Sequence, residues 1–401
     1  MRILMLNHNL RGRGTWHRAW QLGRHLARRG HAVTLWTAAP HHYYRPARET
    51  REGVTIVETP SWAPLAWADD GWGPLDVAYR LLRVVLEPFD LCYAFAHPPN
   101  VAWPAWVARW VRGRRLIYDW CDWYEGGIFP KRAALRREGL AAEDEPPLQA
   151  LTERWDIGLE RWMPRLADRV TVISQKLLEL ARAAGRDDRD LLLLPNGADL
   201  EGITPRDALA CRAALGLAPE GALLGYIANY HPDQELLLRA LAAARAAVPD
   251  LKLVKTGPPF AESLIAELGL GEAVIDLGFV PGEQVPLVLG AADALALPLE
   301  DNLSNIARVP FKFSDYLAAG RPVVTCLVGD LARWFGPGAP GASIGRASQP
   351  EPEPYGEAIA SLFAPETDRA ALGHAARALA EREFSWDTLS ERLEGFINCG
   401  L

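Results

Sequence analysis

The sequence lacks the marks by which several protein classes are recognised. Its five cysteines (Cys92, Cys121, Cys211, Cys326 and Cys399) stand far apart, with no CxxC pair. That spacing excludes a disulfide framework and a zinc ribbon, and it fits a reducing, cytoplasmic compartment. No run of 18 apolar residues is free of charge, so no membrane span is expected. The opening MRILMLNHNL turns polar by residue 7, too early for a signal peptide. Lysine is scarce, five against 38 arginines, a compositional bias from which no function follows. The dinucleotide spacing G-x-G-x-x-G is missing, because Gly12 and Gly14 are followed by His17. No carboxylate cluster reads as a metal site, so no metal is expected.

The composition that remains is that of a folded protein. With 49 % hydrophobic and 23 % charged residues, extended disorder is excluded, and 401 residues suffice for two to three domains. Charge is uneven: residues 1–200 hold 28 Lys/Arg against 24 Asp/Glu, net +4, and the remainder is net −11. The halves are therefore expected to meet different partners. An overall charge of −7, with no recognisable binding module, argues against nucleic acid.

Apolar runs alternate with helical stretches along the whole chain. Strands are predicted at 2–6, 31–37, 54–58, 91–96, 115–119 and 169–174, and a further run, LLLLPNG, closes the first half. Others follow at 222–228, 251–257, 273–280, 292–298 and 321–327, with helices at 16–30, 233–247, 260–269, 283–290, 308–319 and 367–383. This alternation predicts two doubly wound α/β domains with parallel sheets, joined near 197–206. Ligands would sit at the carboxyl ends of the strands, in a cleft that the two domains face. Segments 38–52, 60–75 and 127–150 read as variable loops.

The most informative segment is 298–330. A polar loop with Asn305 leads into a predicted helix carrying Arg308, Lys312 and Asp315. Arg308 and Lys312 at i, i+4 share one helix face. Two cations beside free helix-start amides make an anion site, and Asp315 can accept hydrogen bonds from a diol such as a ribose. The competing reading is a solvated helix in which Lys312 pairs with Asp315. In the first half, Gly12 and Gly14 let a loop backbone approach a ligand, with Arg11, Arg13 and Arg18 around it. His97, before a Pro-Pro turn, reads either as a substrate contact or as a structural residue. Trp103, Trp106 and Trp110 at i, i+3, i+7 read as a core-facing stripe, the alternative being a membrane anchor.

The run N-x-A-R-x-P-x-K-x-x-D-Y-L-A-A-G-R-P-V-V (305–324) resembles the nucleotide-sugar signature of glycosyltransferase family 4, the group 1 transferases of GT-B fold. Five further passages resemble the family in the same order: RILMLN…GRGTWHR, VTVISQKLLEL…LLLLPNGADLEGITP, LLGYIANYHPDQELLLRAL, VIDLGFVPGEQVPLVLGAADALALP and FSWDTLSERLEGFI. The resemblance implies two Rossmann-like domains facing a central cleft. They are an acceptor-side domain (1–200) and a nucleotide-sugar domain (201–383), followed by a helix (384–401) returning to the first. It implies transfer of a sugar from a nucleotide diphosphate to an acceptor hydroxyl, with retention and without metal or cofactor. The acceptor would be a glycan, a lipid-linked or a small molecule, with peripheral contact at the inner membrane face left open.

On this resemblance Arg308, Lys312, Asp315, Asn305, Gly12 and Gly14 bind the donor. Asp122, Asp119 and His97 are the catalytic candidates, and Arg13, Arg18 and Glu125 lie on the acceptor side. Asp122 is also open to a bracing role in its loop. Two departures stand out. The family's Glu-x7-Glu is here Ala307 and Asp315, and the stretch YIANYHPDQE lacks the usual Arg and Lys. The rivals are a sugar-nucleotide epimerase and a non-catalytic sugar-nucleotide or glycan binder.

Overall fold

Apolar runs bounded by turns become strands buried on both faces, as parallel sheets covered by helices require. The computed structural model describes residues 1–40, 43–62, 71–130, 149–229, 232–336 and 338–399. Parts of the three expected loops (41–42, 63–70 and 131–148) therefore lie outside the described residues. The chain forms two compact units, Met1–Pro195 with Leu389–Leu401, and Asn196–Thr388.

The first unit holds β1 (Arg2–Leu10), β2 (Ala32–Ala38), β3 (Ala47–Arg51), β4 (Val54–Thr59), β5 (Leu91–Phe95), β6 (Arg115–Trp120), β7 (Arg169–Val172) and β8 (Leu191–Leu193). Their order is β3-β4-β2-β1-β5-β6-β7-β8, and only β3 runs antiparallel to its neighbour. Strand β3 corrects the reading of 38–52 as loop. Glu52 (φ 45°) and Gly53 (φ 79°) form a two-residue turn with both positive φ values that hairpins demand. Residues buried in this sheet and its helices include Leu6, Trp36, Ala94, Tyr118 and Val172.

Four helices of this unit matter below: α1 (Trp16–Arg28), α2 (Pro74–Leu86), α3 (Pro99–Trp106) and α4 (Gln149–Leu166). Helix α3 continues through a π turn at Val107–Val111. Helix α2 buries Asp76 and Arg80 together with Val77 and Val84. Arg80 donates to Asp76 (2.6 Å), to Thr59, and to the carbonyls of Asn7 (2.9 Å) and Asn100 (3.1 Å). The outward positions of α2 are instead apolar, with Leu82 and Leu86 about 60 % exposed.

The second unit holds β9 (Leu223–Tyr226), β10 (Lys252–Lys255), β11 (Val274–Asp276), β12 (Ala294–Leu297), β13 (Val323–Cys326) and β14 (Gly345–Ser348). All are parallel, in the order β11-β10-β9-β12-β13-β14. Leu224, Leu237, Leu253, Leu295, Phe313 and Tyr316 are among its fully buried core residues. Strand order reverses between β1 and β5 in the first sheet and between β9 and β12 in the second. Those are the points where open α/β sheets leave a crevice for ligands.

The helix expected over 308–319 is broken. A short turn, Leu303–Ile306, ends at Ala307, and a new helix runs only over Phe311–Ala318. Pro310 disfavours the helical region for Val309 and offers no amide hydrogen of its own, so it caps the second helix in an extended conformation (ψ 137°). Arg308 and Lys312 thus belong to different segments rather than to one helical face.

Candidate active site

In the second unit the side chains gather at the carboxyl ends of β9 and β12. Asp233, 3 % exposed, lies just before the helix Gln234–Ala244. Its Oδ1 accepts from Asn305 Nδ2 (2.8 Å) and from the Glu300 amide (3.2 Å). Its Oδ2 lies 3.3 Å from Arg308 Nη2. Asn302 caps the turn that presents Asn305, accepting from the Asn305 amide at 2.9 Å. Gly329 (φ 54°) packs beneath that turn so closely that a Cβ would lie 2.8 Å from the Ile306 carbonyl. Arg308 Nε is buried and makes no hydrogen bond among the described residues.

Lys312 stands on the first turn of Phe311–Ala318, its Nζ 4.4 Å from the centre of the Tyr226 ring. Among the described residues it has no ion-pair partner, and the Lys312–Asp315 pair of the competing reading is absent. Burial, then the charge of Arg308, push its pKa down to about 7 against the opposing pull of Asp233. Asp315 is pushed up to about 7, first by burial and then by the charge of Asp199. The Asn196 side chain donates to the Val309 carbonyl (2.9 Å), and Ser314 donates to the Gly197 carbonyl (2.9 Å). The Pro-Asn-Gly turn therefore braces this helix start.

In the first unit the candidates surround the ends of β1, β5 and β6. Strand β5 ends in Ala96, whose φ of 64° is unusual for a residue with a Cβ. His97 follows, wholly buried, with Nδ1 3.1 Å from the Tyr118 hydroxyl and Nε2 without a partner among the described residues. Burial, aided by the charge of His8, lowers its pKa to about 3, so it is neutral at pH 7. Its ring meets that of Tyr124 edge-on at 4.3 Å. Asp122, part-exposed, lies on the loop after β6. That loop is held by Glu160 of α4, a residue that sequence reasoning missed. Glu160 accepts from the amides of Tyr124 (2.9 Å) and Glu125 (2.8 Å) and from Trp120 Nε1 (3.0 Å). Burial raises its pKa to about 7 despite those donors.

Three expectations need correction. Arg18, expected on the acceptor side, is 1 % exposed. It grips Asp119 through Nε (2.8 Å) and Nη2 (3.0 Å), and it donates to the carbonyls of Leu194 (2.8 Å) and Pro195 (3.0 Å). Asp119, a catalytic candidate by its place on β6, is equally enclosed and also accepts from Tyr93 and Thr171. The pair ties α1 to β6 and the end of β8, which is a bracing role. Glu125 is ion-paired with Arg161 of α4. Arg13 remains exposed on the first loop. In that loop Gly12 and Gly14 have positive φ (77° and 51°), and a Cβ on Gly14 would fall 2.5 Å from Asn9 Oδ1. That oxygen is already the acceptor for the Thr15 amide (2.7 Å). Finally, Trp103, Trp106 and Trp110, expected in the core, are 41–64 % exposed.

Among the described residues no group of three or more His, Cys, Asp or Glu is placed to hold a metal ion. No described helix is long and apolar enough to cross a membrane.

Two doubly wound parallel-sheet units, the second gathering the half-buried cations Arg308 and Lys312 at its strand-order reversal, have the architecture of a GT-B glycosyltransferase. Residues 13–197 match the family described as glycosyl transferase 4-like domain, and residues 221–364 match that described as glycosyl transferases group 1. The chain belongs to the group 1 glycosyltransferases of family 4. It is 27 % identical to a D-inositol 3-phosphate glycosyltransferase of Stackebrandtia nassauensis, over 94 % of this chain and 84 % of the relative. Sucrose-phosphate synthase from Thermosynechococcus elongatus has the same fold (TM-score 0.75, 19 % identity, 99 % of this chain and 98 % of that one). So does Anabaena HepE in complex with UDP-glucose (TM-score 0.69, 18 % identity, 99 % of each chain). The two family matches and the curated relative favour transfer over the epimerase and non-catalytic alternatives.

Proposed function

We propose that the donor is a nucleotide-diphosphate sugar and that the second unit holds it. The carrying observation is Lys312, a half-buried ammonium facing an aromatic ring with no carboxylate partner among the described residues. Even partly burying a cation without its counter-ion is costly, and a diphosphate would supply that counter-charge. Arg308, oriented by Asp233, is assigned the second contact, and Asp315 the ribose diol. Asn305 keeps Asp233 and Arg308 in place.

In the reaction the bond between the anomeric carbon and the β-phosphate oxygen breaks, the acceptor oxygen bonds to that carbon, and the acceptor hydroxyl proton passes to the departing phosphate oxygen. The nucleoside diphosphate leaves as an anion that Arg308 and Lys312 stabilise. Two cations and helix-start amides can supply the charge that Mg²⁺ supplies elsewhere, which supports a metal-independent reaction. Retention of configuration rests on the family resemblance. In the first unit Asp122 is assigned to the charge developing at the reacting carbon. Neutral His97, wholly enclosed, is assigned to shaping the loop wall through Tyr118 and Tyr124 rather than to a direct sugar contact. Exposed Arg13 is assigned to the acceptor and the Gly12–Gly14 loop to the donor; several relatives are named D-inositol 3-phosphate glycosyltransferases.

The test is calorimetric titration of nucleoside diphosphates and their sugars into the wild type and an Arg308→Ala/Lys312→Ala variant. Loss of binding in the double variant is expected, and unchanged affinity would overturn the assignment. Chelator-insensitive turnover and the anomeric configuration of the product, read by NMR, test the remaining two features.

A further inference from the structure

Two neighbouring helices of the first unit carry their apolar residues on the outside. In α2 the outward positions are Pro74, Ala78, Leu82, Val85 and Leu86, at helical spacing and without one polar side chain. In α3 and its π turn they include Trp103, Trp106, Trp110 and Val111. The two elements pack side by side. Arg112 fastens them by donating to the carbonyls of Val84 (3.1 Å) and Val85. The two stripes therefore adjoin.

We infer that this α2–α3 face is a docking surface for an anionic lipid bilayer. A soluble surface seldom carries three tryptophans and four aliphatic side chains on adjoining helices. Tryptophan suits a boundary that is apolar on one side and wet on the other. Segment 74–115 holds six arginines against three acidic residues, net +3 in a chain of net −7. No acidic side chain interrupts the exposed stripes. Arg109 stacks beside Trp110 (5.4 Å) and Arg112 beside Phe89 (5.7 Å), which places guanidinium groups at the rim of the apolar face. Arg109 is paired with Asp168 (2.8 Å) and Arg112 is engaged with carbonyls. Insertion of the aromatic and leucine side chains therefore contributes more than charge, and the arginines supply the preference for anionic headgroups. Shape and charge suit a broad headgroup region better than a second copy of the same basic face, whose net charge would be repelled.

Co-sedimentation with vesicles of phosphatidylglycerol and phosphatidylcholine, and with phosphatidylcholine alone, tests the inference. The wild type should partition onto the mixed vesicles, with binding reduced but not abolished at moderate salt. Trp106→Ser/Trp110→Ser and Leu82→Gln/Leu86→Gln should each weaken partitioning about tenfold or more. Both pairs are exposed, so melting temperature and nucleotide binding should be unchanged. Wild-type partitioning by both variants would overturn the inference, as would no binding to anionic vesicles. A lipid-free dimer in sedimentation velocity that both variants dissociate would assign the face to self-association instead.

Discussion

Lys312 Nζ sits 4.4 Å from the centre of the Tyr226 ring, and that ring stacks on Phe260 with ring centres 6.1 Å apart. The aromatic face offsets part of the cost of withdrawing the ammonium from water but leaves its charge uncancelled. Lys312→Met should therefore separate function from stability. Charge-assisted contacts to phosphate contribute about 1.5–3 kcal/mol each, so affinity for a nucleoside diphosphate should fall about ten- to a hundredfold. The empty protein should gain on the order of 1–3 kcal/mol at pH 6, where the half-buried ammonium is charged. Calorimetric titration and thermal melting of the same sample would show both.

The two groups near pH 7 should give donor affinity a maximum there. Above pH 7 the folded, empty protein loses the Lys312 proton, because its pKa is lowered to about 7. A bound diphosphate raises that pKa again, so binding takes up a proton and weakens as pH rises. Below pH 7 Asp315, raised to about 7, holds a proton that must leave before both oxygens can accept from a diol. Binding there releases a proton and weakens as pH falls. Titrations at pH 6 and 8 in buffers of different ionisation enthalpy should show opposite signs of proton exchange. Lys312→Arg should remove the uptake at pH 8 only.

Asp122→Asn tests the first unit. The substitution keeps shape and removes charge on a loop that Glu160 holds from below. The turnover rate should drop by about a hundredfold or more, in line with the loss of a transition-state electrostatic partner, while the melting temperature stays within a degree or two. Near-normal turnover would move the role to another group of the loop.

The Arg18–Asp119 pair predicts the opposite pattern. Removing one partner leaves an uncompensated buried charge, so Asp119→Ala and Arg18→Ala should each lose about 3–5 kcal/mol. Denaturant unfolding should give a combined loss for the double variant well below the sum of the two, because the second change removes the orphaned charge. Additive losses would show that the pair acts through its carbonyl contacts instead.

The parallel strands were readable because burial on both faces leaves continuous apolar runs such as RILML and VTIVE. Strand β3 was not, since its residues ARETR are polar and mostly exposed on a sheet edge. The break before Phe311–Ala318 carried a readable signal in Val309–Pro310, and the i, i+4 spacing of Arg308 and Lys312 overrode it. Asp233 was beyond reach, because its bond to Asn305 joins residues 72 positions apart and no local pattern marks it. Glu160 escaped for the same reason. The tryptophans were misplaced because periodicity reports which residues share a face and says nothing of which way that face looks.

Helix α2 shows what such a face implies for the folding of the chain. Hydrophobic collapse by itself would roll the helix half a turn, taking Leu82 and Leu86 inward and Arg80 outward. The observed roll is set by directional bonds from Arg80 to Asp76, Thr59 and the carbonyls of Asn7 and Asn100. Local frustration is thus concentrated in one helix of an otherwise consistent fold. Relief of those bonds, by Arg80→Leu for example, would tip the rotation rather than merely loosen a contact, and would withdraw the greasy stripe while the sheet beneath stayed assembled.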